Sequence, residues 1–371
     1  MNERLIAHYR IDASPGEARR RAAALAVEQS IEMPPDAVSD AFVRTEVMGR
    51  VESVEPDPTD PELSIARIAL ATDTVGDEPG QLMNMLFGNC SLQPDVMLID
   101  AELPASLVGA LPGPGYGIAG LRKAVGAGRR ALSCTALKPQ GLGPDALAAL
   151  AYTFARSGID VIKDDHGIAD QPYAPFDARV PAVQRAVARA NRERGGHTVY
   201  APTISGGPAR IVRQLDLVHA EGVGAVLACP MLIGIPVFAE LVRARANVPV
   251  IAHPAFAGAG RIAAPLLLGR LFRLFGADAT IFPNHGGRFS YDRATCDAIA
   301  RYAREPLEGH PPALPVPAGG MSVDRVDELL DQYGLDTMLL IGGILLAAGD
   351  AMPERAAAFA QRVADALGQS S

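Results

Sequence analysis

Basic runs, paired cysteines and long apolar stretches are all missing from this 371-residue chain. No Lys/Arg-rich segment appears, and the net charge is -8. Together these argue against nucleic acid as a partner, because phosphate backbones are met by basic stripes. The four cysteines, Cys90, Cys134, Cys229 and Cys296, lie far apart and form no CxxC pair. Thiols scattered in this way are small core residues of a reducing compartment. The most apolar stretch, Ala263 to Leu268, is too short to span a bilayer, so no membrane partner is expected. The opening MNERLIAHYRIDA is charged and lacks the apolar segment of a signal peptide, which predicts a cytoplasmic protein. What remains is 49% hydrophobic and 20% charged, the profile of an ordinary globular chain. Its length suggests two domains, or one large barrel with an appendage.

The first part mixes strand and helix signals. LIAHYRID alternates like a strand from Leu5 to Asp12, and PGEARRRAAALAVEQS reads as a helix with Pro15 in its first turn. RTEVMGRVESVEP and LSIARIALAT read as two further strands, EPGQLMNMLFG as a helix and DVMLIDAEL as a strand. This β-α-β-β-α-β order predicts a ferredoxin-like α+β domain over residues 1–115. The Gly/Pro-rich LPGPGYGIAGLRKAVG then reads as a linker. From residue 116 to 371 the pattern changes to eight short apolar runs separated by helical segments: ALSCTALKP, IDVIKDD, HTVYAPTIS, GAVLACPM, VPVIAHP, DATIFPN, ALPVPAGG and TMLLIGG. Continuous apolar strands alternating with helices predict a parallel sheet covered on its outside. Eight evenly spaced units predict a (β/α)8 barrel rather than an open sheet.

Polar and glycine residues stand where the apolar runs stop. They are Lys138, the string Lys163-Asp164-Asp165-His166, Thr203 and Ser205, His253, Asn284-His285, Gly319-Gly320 and Gly342-Gly343. In a barrel these positions share the C-terminal face, where active sites form. Acidic residues with a histidine can hold a divalent cation there; a solvated loop capping the next helix is the plainer alternative. Paired glycines at the last two strand ends fit both tight turns and a phosphate site. His253 reads either as a site residue or as a satisfied core histidine.

The stretch SGIDVIKDDHGIADQPYAPFDARV closely resembles the metal-site motif of the RuBisCO large-chain superfamily, a Gly-x-Asp-Phe-x-Lys-x-Asp-Glu string followed by Gln-Pro. Other matches follow in chain order. CTALKPQGL resembles the family's Lys-Pro-Lys motif, VIAHPAFAGAG a segment in which histidine precedes arginine, and PVPAGGM with LIGG two phosphate-binding glycine segments. AVEQSIEMP and LFGNC look like first-domain segments that reach a neighbouring subunit's site. On the order of these motifs over almost the whole chain, the sequence is identified as a member of the form IV, RuBisCO-like proteins.

The resemblance implies a site and a chemistry. Lys163 matches a lysine carbamylated by CO2 that binds Mg2+ with Asp165, and His166 stands where the family has a glutamate. Lys138 matches the catalytic lysine, with Gln140 replacing the motif's second lysine, and His253 matches the strand-five histidine. Gly319, Gly320, Gly342 and Gly343 match the cradle of one phosphate. Glu28 and Asn89 match residues that complete the neighbouring subunit's site, implying a homodimer or larger assembly. Arg288, with His285 beside it, lies on the loop where the family carries a mobile lysine. The second phosphate's partners are replaced by Pro254, Phe282 and Ala318, and apolar groups cannot hold a dianion. Bisphosphate carboxylation is therefore not expected. The resemblance implies instead enolisation and isomerisation of a ketose monophosphate with an apolar end, 5-methylthioribulose 1-phosphate being the first choice. Diketo-methylthiopentyl-phosphate enolase, an oxo-sugar-acid-phosphate decarboxylase or transcarboxylase-hydrolase, and a noncatalytic binding or regulatory relative stay open beside it.

Overall fold

The computed structural model describes residues 3–289 and 291–366. The chain divides into two compact units. One comprises Met1–Leu111 with Ala257–Leu267 and Leu307–Gly309, and the other comprises the rest.

The first unit is an antiparallel sheet with two helices. In β1 (Arg4–Ile11) buried and half-buried residues alternate strictly, so Leu5, Ala7, Tyr9 and Ile11 form one apolar face. α1 (Pro15–Glu28) follows, then β2 (Arg50–Asp57), β3 (Asp60–Ala71), α2 (Pro79–Phe87) and β4 (Val96–Glu102). The sheet order β2-β3-β1-β4 is ferredoxin-like. α1 buries Ala18, Ala22, Leu25 and Ala26, and Tyr9 keeps its buried hydroxyl satisfied by donating to the Leu86 carbonyl at 2.6 Å. The edge strand β4 is covered: Leu98 donates to Arg261 O at 3.0 Å and accepts from Ala263 N at 2.8 Å. One boundary differs from the sequence reading. Residues Val43–Val47 form a helical turn, and β2 starts only at Arg50. The Arg4 guanidinium donates to the carbonyls of Glu46 and Met48 and holds that turn. The packing leaves no room for a side chain at Gly49, where a Cβ would lie 2.4 Å from Ala26 O.

The second unit holds the parallel strands. A short helix α3 (Ala105–Ala110) ends the first unit, and α4 (Gly117–Ala124) opens the second. The strands are β5 (Leu132–Leu137), β6 (Val161–Asp164), β7 (Val199–Ala201), β8 (Thr203–Ile204), β9 (Val226–Ala228), β10 (Val250–Ala252), β11 (Ala279–Pro283), β12 (Leu314–Ala318) and β13 (Met338–Leu340). β7 and β8 are one barrel strand broken at Pro202, which has no N–H to give to a ladder. The pairing runs in two arcs, β13-β5-β6-β7 and β8-β9-β10-β11-β12. Proline also marks the seam between β12 and β13. Leu314 N donates to Asp278 O and Ala318 O accepts from Asn284 N, so this alternate set faces β11. Pro315 and Pro317 then face β13 with no donor to offer. Thr337 Oγ1 donates to Pro315 O at 3.1 Å in place of a ladder bond. Helices α5 (Pro144–Arg156), α6 (Phe176–Arg194) and α7 (Pro208–Ala220) follow successive strands and bury one apolar side each.

A single core cluster takes a residue from each strand, including Cys134, Val161, Ala201, Leu227, Ile251, Ile281, Val316 and Leu340. The strand period of two carries this inward set up to Ala136, Lys163, His253, Pro283, Ala318 and Gly342 at the C-terminal ends. All four cysteines are buried and free. No helix among the described residues is long and apolar enough to cross a membrane.

Candidate active site

The strand-end residues of β5, β6 and β10 converge. Lys163 is inward-facing and only 3% exposed. Its Nζ donates to Asp164 O at 2.9 Å. Burial disfavours the ammonium form and lowers its pKa, and the nearby positive Lys138 adds to the effect. Lys138, one residue beyond β5, forms an ion pair with Asp165. Burial alone would raise the Asp165 pKa. The Lys138 ion pair and the Gly167 N–H, which donates to Oδ1 at 3.0 Å, outweigh it and hold the carboxyl at about 2. His166 Nδ1 lies 3.5 Å from the same carboxylate. Its ring stacks on His253 with centroids 4.1 Å apart and planes 13° from parallel.

His253 is set by its backbone. The Ala255 N–H donates to His253 Nδ1 at 3.1 Å, so the neutral ring carries its proton on Nε2. Burial, reinforced by the positive Lys163, pushes its pKa down to about 2, and burial lowers that of His166 too. His253 is thus a neutral Nε2–H donor. The structure brings Lys138, Lys163, Asp165, His166 and His253 together.

The glycine segments stand at the neighbouring strand ends. Gly319 and Gly320 have φ of +88° and +90°, a region that favours glycine. Close approach forbids a side chain at facing Gly287, whose Cβ would sit 1.8 Å from Gly319 O. A Cβ on Gly342 would lie 3.8 Å from Lys138 Cε, which ties the last strand end to the lysine. Among the described residues, no protein acceptor takes the N–H of Gly319, Gly320 or Gly342.

Other candidates sit elsewhere. His285 is engaged by Gln332 through Nε2 at 2.8 Å. Arg288 donates its backbone N–H to Gly319 O at 3.1 Å, and its guanidinium lies 5.5 Å from the Phe289 ring centre. Neither bonds to the lysine–aspartate cluster. In the first unit Asn89 Nδ2 donates to Glu28 Oε1 at 2.9 Å, so those two candidates meet; it also donates to Glu32 at 3.0 Å. Glu32 lies beyond the last turn of α1 with φ of +51°, so no helical spacing in the sequence pointed to it. Phe282 requires a correction. It is fully buried and meets Tyr333 edge-on, with ring centres 6.0 Å apart. Strand alternation turns it toward the helices, and Ile281 and Pro283 face the barrel interior instead.

A ferredoxin-like unit, a parallel eight-strand barrel and a lysine–aspartate–histidine cluster at the strand ends define a two-domain α/β-barrel protein with its polar chemistry at the mouth. Residues 117–369 match the catalytic domain of the ribulose bisphosphate carboxylase large chain, and the chain belongs to that family. It is 53% identical over 364 residues to ribulose bisphosphate carboxylase-like protein 1 of Rhodopseudomonas palustris, covering 98% of each chain. It is 49% identical over 367 residues to the 5-methylthioribulose-1-phosphate isomerase of Rhodospirillum rubrum, covering 99% of this chain and 98% of that one. Among solved structures, a Rubisco-like protein from Rhodopseudomonas palustris superposes with a TM-score of 0.92 at 50% identity, over the whole of both chains.

Proposed function

We propose that the protein isomerises a ketose monophosphate with an apolar end, 5-methylthioribulose 1-phosphate being the first choice. The observation that carries this reading is the meeting of Lys138, Lys163, Asp165, His166 and His253 at one end of the barrel. The isomerase from Rhodospirillum rubrum, alike over nearly its whole length, supports the choice of substrate.

The donor chemistry fits Mg2+ on one condition. Among the described residues, no three His, Cys, Asp or Glu side chains are grouped to hold a metal. Asp165 contributes oxygen and His166 nitrogen, so a third protein ligand has to come from Lys163. Its burial favours the neutral amine, the form that attacks CO2; loss of one proton then leaves a carbamate whose oxygens can ligate. A divalent cation held there would polarise the substrate carbonyl.

The remaining roles belong to the chain itself. The N–H groups of Gly319, Gly320, Gly342 and Gly343 receive the phosphate. Lys138, beside Gly342, moves the proton between the carbon next to the carbonyl and its neighbour. The His253 Nε2–H donates to the oxygen on which charge develops. Pro254 and Ala318, where bisphosphate-binding relatives carry polar groups, leave the far end suited to a methylthio group. Glu28 and Asn89 act on the partner's barrel in a homodimer.

Proton NMR of 5-methylthioribulose 1-phosphate with the enzyme in deuterated water tests the reading: solvent exchange and a new ketose phosphate should rise together. Exchange without a new ketose would move the assignment to an enolase-type reaction. Absence of exchange with CO2 and Mg2+ present would favour a noncatalytic role, and fixation of labelled CO2 into ribulose 1,5-bisphosphate would overturn the proposal.

A further inference from the structure

We infer that Arg179 is a positioning residue for the Lys163–Asp165 strand end and acts through a sealed charge cluster on the opposite side of β6. The inference rests on the reading of Lys163 and Asp165 as the reacting end of the site. Because side chains alternate along β6, Lys163 and Asp165 face inward and Asp164 faces the helices. Asp164, Arg179 and Tyr200 are all fully buried.

Every oxygen of Asp164 is used. Oδ2 accepts from Arg179 Nε at 3.2 Å and from the Thr203 N–H at 3.0 Å, and forms an ion pair with Nη2 at 3.2 Å. Oδ1 accepts from the Tyr200 hydroxyl at 2.8 Å. Its main-chain oxygen accepts from Lys163 Nζ. Arg179, in the first turn of α6, spends its other donors on the loop leaving the strand, reaching Ala174 O at 2.6 Å and Ala169 O at 2.8 Å. Thr203 Oγ1 donates to Asp165 O at 3.2 Å and closes the ring of contacts. The cluster therefore clamps three things at once: the rotation of the β6 end, the backbone of residues 165–174, and the neighbouring strand β8.

A fully enclosed ion pair is a poor way to gain stability, because apolar residues of similar volume do as well or better. Its worth here lies in geometry. Rotating Asp164 about the strand axis would carry Lys163 and Asp165 with it, since they are its immediate neighbours on the other side. Removing groups that orient metal ligands from behind typically costs about 10–100-fold in metal affinity.

Full-length variants test the inference. They are the charge-free pair Asp164→Leu/Arg179→Met, and the single changes Arg179→Lys and Tyr200→Phe. The double variant should unfold within about 5 °C of the parent. Amide hydrogen exchange over residues 165–174 should nevertheless rise roughly tenfold or more. Mn2+ binding in bicarbonate buffer should weaken about 10–100-fold. Arg179→Lys, which keeps the charge but not the fork, should fall between the two, and Tyr200→Phe should move the same readouts less. Parental exchange and parental Mn2+ binding in a folded double variant would overturn the positioning role. If the double variant does not fold, parental exchange in both single variants would overturn it instead. If the parent itself binds no Mn2+ in bicarbonate, the metal reading falls alone. Hydrogen exchange, which needs no metal, still decides the role of Arg179.

Discussion

Replacing Lys163 by methionine should leave the protein folded and abolish turnover, and the structure sets the size of both effects. Lys163 is 3% exposed, with its amine giving one hydrogen bond to the Asp164 carbonyl. Losing that bond costs about 1 kcal/mol. Methionine keeps most of the volume, and such swaps cost less than about 1.5 kcal/mol. Against these stands the relief of no longer burying an amine, which favours the variant. The balance is within about 1 kcal/mol, a shift of roughly 1–2 °C in Tm for a chain of this size. Alanine behaves differently: it deletes the buried stem and leaves a cavity, at about 2–5 kcal/mol. Differential scanning calorimetry should therefore rank parent and methionine variant together and alanine well below. Deuterium exchange of the substrate should fall at least about 100-fold in both variants, because losing the Lys163 ligand removes the cation that polarises the carbonyl, worth several kcal/mol. Parental exchange in the methionine variant would show that the reaction needs no ligand from Lys163. An equal loss of stability in both variants would refute the burial argument.

Three further outcomes follow from the same contacts. Mixed dimers of Glu28→Ala and Lys163→Met chains should regain part of the activity that neither homodimer has, measured after demonstrated subunit exchange; none regained would count against a shared site. His166→Glu should preserve Mg2+ binding by calorimetry if the imidazole is a ligand, and should change turnover far more than affinity if it is not. Gly320→Ala forces a side chain onto a φ of +90° and brings its Cβ within 3.0 Å of Gly287 Cα. It should displace the loop's N–H groups and raise KM for the phosphate substrate about tenfold, the scale of one lost hydrogen bond to a charged group; an unchanged KM would place the phosphate elsewhere.

Much of the fold was readable because its signals are local and periodic. Strict alternation in Leu5–Ile11 and the repeated apolar runs after residue 130 depend only on which faces are buried. The boundary at Arg50 was not readable, since it depends on Arg4 reaching carbonyls more than 40 residues away. Phe282 went wrong by a single position, and in a strand one position exchanges the barrel interior for the helix layer.

The site was legible because polar residues stand where the apolar runs stop and the motifs keep their order. Among 34 lysines and arginines the chain has only three lysines, Lys123, Lys138 and Lys163. Two of them stand at adjacent strand ends within reach of one carboxylate. Arginine cannot surrender its proton, so it could not replace Lys163, whose burial favours the neutral amine. The supporting cluster left no such mark. Arg179 looks like any other arginine in FDARVPAVQRAVARANRER, and Asp164 looks like a second acid beside Asp165. Their roles depend on the side of β6 each one faces, which only the packing of α6 and β7 against that strand decides. A polar residue that ends an apolar strand is visible in a sequence, whereas the charges that hold it in place are seen only once the barrel has closed around them.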